Sequence, residues 1–168
     1  MLAQSRILTG TLSLRRSVAA PSAGHVTNFT VTLRPNQGVC TVSSAVCSIA
    51  GRTDSLSQFA EPFDALPGAY TVEVKPSGAI ARRRTNVVVP STGDLTLAFS
   101  QFDEGDVDGS GGVTVTDLNV VKSRFATTCA SGAALNVCPD LNRDGRVTLL
   151  DFSLLSRSYG RVGPIDEP

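Results

Sequence analysis

Through the first hundred residues, apolar and polar side chains alternate in short runs. Residues 7–14 read ILTGTLSL, residues 28–33 NFTVTL and residues 70–75 YTVEVK, and the runs at 86–89 and 95–99 follow. Turn formers separate them: PSAG at 21–24, PNQG at 35–38, PG at 67–68, PSG at 76–78 and STGD at 91–94. Val, Thr and Phe in half-buried alternation, punctuated at this spacing, predict an antiparallel β-sandwich. No amphipathic helix of useful length is visible in this half.

From Asp103 onward the period changes, and a repeat appears at an offset of 34 residues. The first copy, residues 106–117, reads DVDGSGGVTVTD; the second, residues 140–151, reads DLNRDGRVTLLD. The likeness continues past each loop, where Leu118, Val121 and Phe125 match Phe152, Leu155 and Tyr159. These positions fall at i, i+3 and i+7, one face of a short helix.

Each loop has the spacing of a calcium site. A cation of this size takes about six to eight oxygens at about 2.3–2.6 Å. Loop positions 1, 3, 5 and 12 supply side-chain oxygens: Asp106, Asp108, Ser110 and Asp117 in the first copy, and Asp140, Asn142, Asp144 and Asp151 in the second. Position 6 must turn sharply, and Gly111 and Gly145 stand there. Gly112 and Arg146 offer a backbone carbonyl at position 7, and Thr114 and Thr148 reach the ion at position 9 directly or through water. The closing Asp of each loop also suits a helix N-terminus. Val113 and Val147, at position 8, are expected to point inward and pair the two loops. Each loop gathers three carboxylates that repel one another without a cation, so two calcium ions are expected. Ser110 and Gly112 are expected to make the first site the weaker. No helix of useful length leads into either loop: residues 102–105 are too few, and Pro139 blocks one before the second.

Composition narrows the functions. Residues 1–100 carry nine basic and five acidic side chains; residues 101–168 carry six and ten. Opposite formal charge suggests two domains, expected at 5–101 and 102–162, with a tail at 163–168. Zero net charge argues against nucleic acid as a partner. No apolar run approaches the roughly 20 residues of a membrane helix. A lone His25 and no Trp leave little for His-based catalysis or sugar stacking. The clustered carboxylates suit calcium, and no Ser/His or Cys/His pairing is available, so no enzyme is expected. The cysteines form two close pairs, Cys40/Cys47 and Cys129/Cys138, without zinc spacing. Three disulfide connectivities are possible; the local one fits the domain division and an oxidising, extracellular or cell-surface setting. The alternative is four free thiols. The Arg82-Arg83-Arg84 run is either a binding patch or a solvated strand.

Two resemblances add to this reading. Residues 65–74, ALPGAYTVEV, resemble the turn and strand of carboxypeptidase-regulatory-like domains, prealbumin-like or immunoglobulin-like sandwiches with no common chemistry. Residues 105–160, through both loops and both following helices, are similar to dockerins. That second resemblance implies a small all-α domain with two EF-hand-like calcium loops, secretion, and docking onto a cohesin-like β-sandwich. It places partner contacts at loop positions 10 and 11 (Val115, Thr116, Leu149, Leu150) and on the helices at Lys122, Ser123, Ser156 and Arg157. The Ser-Thr pair of the first cohesin-binding class is missing, and Leu149-Leu150 suits a more apolar contact, as in the second. One Leu of that pair needs cover beyond the small helical core, from the chain's own sandwich or from a partner's.

Three functions remain open. The chain is a non-catalytic extracellular docking protein, a self-assembling filament subunit, or the end of a larger secreted enzyme. For the second, another copy of the chain is the partner, through sandwich-to-dockerin contacts or addition of the strand at 7–14 to a neighbour's sheet.

Overall fold

The computed structural model describes residues 6–14, 26–41 and 44–167. His25 and the turn expected at 21–24 lie outside the described residues. The elements, in order, are β1 (Arg6–Thr11), β2 (Asn28–Pro35), β3 (Cys47–Arg52), β4 (Gln58–Phe63), β5 (Gly68–Pro76), β6 (Gly78–Ala79), β7 (Arg82–Val89), β8 (Leu95–Ala98), β9 (Glu104–Asp106), α1 (Val115–Ser123), α2 (Leu149–Ser158) and β10 (Ile165–Glu167). The described residues are therefore mostly β-sheet, with two helices among them, both in the C-terminal region.

The alternating runs become strands because each buries one face. In β5, Tyr70, Val72 and Val74 are buried while Thr71, Glu73 and Lys75 stay partly exposed, and β2 buries Phe29, Val31 and Leu33 in the same way. A three-stranded sheet has the order β4-β1-β8, and a five-stranded sheet the order β10-β7-β5-β2-β3. Their apolar side chains meet in one core that includes Leu8, Phe59, Leu97, Val31 and Val72. The Phe29 and Phe59 rings, one from each sheet, lie 4.5 Å apart. Tyr70, from the ALPGAYTVEV segment, donates its hydroxyl to the Leu66 carbonyl at 2.7 Å, tying the strand to the turn before it.

Not every pairing is antiparallel. β1 runs parallel to β8, and β7 runs parallel to β10. The second of these falls within residues 163–168: Ile165, Asp166 and Glu167 pair with Arg82, Arg83 and Arg84. The first bears on strand addition. β1 lies between β4 and β8 of its own chain, so it is already paired on both sides.

A second core gathers Val107, Val113, Val121, Leu135, Leu141, Val147 and Leu155 around the helices. Ile80, from the segment between β6 and β7, is fully buried in that core rather than in the first. A two-stranded sheet, β6 with β9, sets Gly78 opposite Asp106 and Ala79 opposite Glu104. The Ile80 N–H donates to the Asp103 carbonyl at 2.8 Å, and the Ile165 N–H to the Ala81 carbonyl at 2.9 Å. The β region and the helical region thus share backbone hydrogen bonds and a side chain. Both local disulfides are present, Cys40–Cys47 and Cys129–Cys138, with Cα atoms 5.7 and 5.8 Å apart.

Candidate functional site

The two loops repeat each other bond for bond at their ends. In the first, Gly111 N–H donates to Asp106 Oδ2 at 3.0 Å; in the second, Gly145 N–H donates to Asp140 Oδ2 at 2.8 Å. Both glycines have left-handed φ, +93° and +91°, which lets their N–H groups turn back onto the leading Asp. Asp117 accepts the N–H groups of Asp108 at 3.2 Å and Thr114 at 2.8 Å, and also that of Val107 at 2.8 Å. Asp151 accepts those of Asn142 at 3.1 Å and Thr148 at 2.8 Å. The closing Asp is thus also the third residue of its helix, and Thr114 and Thr148 are the N-caps in reciprocal capping boxes. These hydroxyls accept from Thr116 and Leu150 N–H, so position 9 starts the helix as well as facing the loop.

Carboxylate oxygens of Asp106, Asp108 and Asp117 converge to within 4.8 Å of one another. Asp106 and Asp117 are buried, while Asp108 is exposed. Asp106 Oδ1 is buried without any hydrogen-bond partner. A buried carboxylate oxygen left bare beside two further carboxylates suits a bound cation, and the all-oxygen donor set suits calcium rather than a softer metal. In the second loop Asp140, Asn142 and Asp151 are buried and Asp144 is exposed. There Asp144 N–H reaches both Asp140 Oδ1 and Asn142 Oδ1, each at 3.1 Å, and Asn142 Nδ2 donates to Asp144 Oδ2 at 2.9 Å. Burial pushes the Asp140 carboxyl up; the Gly145 N–H opposes this, and the nearby Asp151 and Asp144 carboxylates add to it. Asp108 is pulled down, chiefly by hydrogen bonds from Ser110. Ser110 Oγ lies 3.4 Å from the Gly112 carbonyl, and Arg146 is exposed. The leading halves of both loops, with Lys75, Arg52 and Arg143, line one cleft of about 1360 Å³ facing the β region.

The position-8 valines are buried as expected, but the loops do not pair with each other. Val113 N–H donates to the Arg161 carbonyl at 2.9 Å, and Val113 O accepts from Gly160 N–H at 2.8 Å. Val147 N–H donates to the Thr127 carbonyl at 3.0 Å, and Val147 O accepts from Ala126 N–H at 2.9 Å. Each loop therefore joins the segment that leaves the other loop's helix.

Among the partner positions taken from the resemblance, Val115, Thr116, Lys122, Ser123, Leu149, Leu150, Ser156 and Arg157 are all exposed. Leu149 and Leu150 are 71% and 54% exposed, so the chain's own β region does not supply their cover. A shallow apolar cavity of about 530 Å³ lies beside them, floored by Phe125, Ala126 and Val147. Phe125, half exposed, belongs to this face although the sequence reading placed it only in the helix pattern.

The arginine run is paired within the chain, Arg82 the most covered and Arg83 in a largely exposed pair. Arg82 and Arg84 reach Glu167 at 3.1 and 3.3 Å, and Arg83 reaches Asp166 at 2.6 Å. Asp103 adds a bridge between Arg82 at 3.4 Å and Arg161 at 2.8 Å. Glu167 also accepts the N–H and hydroxyl of Ser100. Alternation cannot reveal this network, because β10 has only three residues. The acidic pair Asp166-Glu167 opposite the Arg run was the available signal.

Comparison with known proteins now decides the C-terminal region. Residues 104–159 match the dockerin type I domain. Two solved structures resemble nearly the whole chain. One is a C-terminal interface mutant of a type II cohesin–X-dockerin complex from Acetivibrio cellulolyticus: TM-score 0.64, 24% identity, covering 94% of this chain and 97% of that one. The other is an N-terminal interface mutant of the same kind of complex from the same organism: TM-score 0.61, 21% identity, with the same coverage. At these identities the likeness is one of fold, and it spans the β region together with the dockerin region. No curated protein sequence matches the chain.

Proposed function

We propose that the chain is a non-catalytic, extracellular docking protein whose calcium-loaded dockerin region binds a cohesin-like β-sandwich. The β region, read as a carboxypeptidase-regulatory-like sandwich spanning about 5–101, acts as a fixed companion module to a dockerin at about 102–162. The observation that carries the reading is the exposed Leu149-Leu150 pair on the dockerin helix, uncovered by the rest of the chain. Exposed adjacent apolar side chains beside a shallow apolar cavity suit the buried centre of a protein interface. Two calcium ions, one per loop, would be held by the side chains of Asp106, Asp108, Ser110 and Asp117 and of Asp140, Asn142, Asp144 and Asp151. Gly112 and Arg146 would add carbonyls, and Thr114 and Thr148 the position-9 contact. The ions would supply charge neutralisation and order, with no chemistry of their own.

Apolar Leu149-Leu150, with Phe125 alongside, favours a cohesin of the second class over the first. Val115, Thr116, Lys122 and Arg157 would frame the contact. Self-assembly has less support: β1 is already paired on both sides by β4 and β8 of its own chain. The deciding experiment is calorimetric titration of the full chain against purified cohesins of both classes, with calcium and with chelator. Calcium-dependent binding to a second-class cohesin is expected. Failure to bind either class with calcium present overturns the reading.

A further inference from the structure

The leading carboxylate of the first loop is not held by its own loop alone. Lys75 lies near the end of β5, and its Nζ donates to the Ala79 carbonyl at 2.5 Å and to Asp106 Oδ2. The pairing of β6 with β9 sets Gly78, three residues after Lys75, opposite Asp106 and so brings the end of β5 beside the carboxylate. The Asp106 side chain is fully buried, whereas that of Lys75 keeps some exposure, 28%. Asp106 Oδ2 is therefore shared by the Gly111 N–H and an ammonium from the β region, while Oδ1 remains bare. The counterpart in the second loop, Asp140, is held by the Asp144 and Gly145 N–H groups of its own loop.

We infer that Lys75 is the resident counter-ion of the first loop: it holds Asp106 in place in the calcium-free protein and weakens calcium at that loop. The inference rests on the calcium reading above. A lysine ammonium on a buried carboxylate offsets the repulsion among Asp106, Asp108 and Asp117, so the loop stays closed without metal. A divalent cation arriving among the same three residues must share Asp106 with a charge of its own sign, in a site partly shielded from water. Calcium at this loop consequently gains less affinity and orders less chain than at the second. The lysine comes from the β region, so the β region sets the calcium response of the dockerin.

The test is a Lys75→Met variant, which keeps most of the aliphatic stem, studied in the full chain by calorimetric calcium titration and by thermal melting in chelator. Wild type is expected to show two unequal sites, and Asp108→Ala should abolish the weaker. In Lys75→Met that weaker site should tighten by about ten-fold, the scale of one neighbouring charge in a partly screened site. The calcium-free midpoint should fall, because the three carboxylates lose their counter-charge. These opposite signs separate a counter-ion from a merely structural lysine, whose loss would weaken both. Lys75→Arg should retain wild-type behaviour in both measurements. Two sites in wild type with a first site unchanged or weakened in Lys75→Met overturn the role of Lys75 alone. No calcium uptake by wild type overturns the calcium reading, and this inference with it.

Discussion

Glu167 gathers several partners at once. It is nearly buried, yet it faces Arg82, Arg84 and both donors of Ser100. Burial pushes its carboxyl up, and the Ser100 hydrogen bonds with the two guanidiniums outweigh that and leave it below the ordinary value of 4.5. A carboxyl depressed in the folded state contributes stability above its unfolded value, and that contribution is lost as pH falls through the folded one. Hydrogen-exchange protection factors at residues 165–167 should therefore fall selectively as pH drops below the ordinary carboxyl range. Glu167→Gln should flatten this dependence. Equal protection of β10 on both sides of that range would count against the account. At the same scale, the two loops were legible as a repeat because oxygen side chains recur in them at fixed spacing. Lys75 and Glu167 were not, since each acts on a residue some thirty to eighty positions away.

Among the elements, α1 and α2 were the most legible, as each begins at a Thr whose hydroxyl and whose Asp three residues later close the N-terminus. The strands with clean alternation, β2 and β5, were equally plain. β3 and β4 were missed for physical reasons. β3, CSIAGR, is an edge strand with only half-buried apolar positions, and β4, QFAEPF, carries Pro62, which an edge strand tolerates. β6, β9 and β10 are too short for any periodicity and exist through their partners. α2 also carries the docking prediction. Leu150→Asp should leave folding and calcium uptake intact, because that side chain is already largely in water. Cohesin binding should fall at least about a hundred-fold, the effect of placing an unpaired charge in a buried apolar contact. A stable variant that still binds at full strength would move the contact elsewhere on the dockerin.

At the scale of the molecule, the change from strand period to helix period at Asp103 was readable, but the way the two regions join was not. Ile80 leaves the β region's core for the helical one, and β10 returns to the β region after α2. The opposite formal charges, which read as a hint of separate domains, are the material of the join itself. Calcium removal should accordingly reach beyond the dockerin. In chelator the midpoint of residues 105–160 should fall, the second loop opening before the Lys75-held first, and the midpoint of the β region should fall with it as Ile80 and β10 lose their cover. Circular dichroism for the helices and near-ultraviolet signals for the buried Tyr70 would follow the two parts separately. A β-region transition indifferent to chelator would show the join to be weaker than its contacts indicate.

The reciprocal seating of Val113 and Val147 makes the dockerin a pair of mutually completing fragments rather than two stacked copies of one unit. Each loop makes three backbone hydrogen bonds with the stretch that follows the other helix. A peptide bearing a single copy therefore lacks the strand that would finish its loop, however faithfully it keeps the calcium spacing. A chain cut within the exposed stretch around Ala130, Ser131 and Gly132 loses none of those bonds, and the Cys129–Cys138 bridge still spans the cut. Loss of one copy and severance between copies are thus unequal injuries: the first removes the complement, while the second leaves both complements in place.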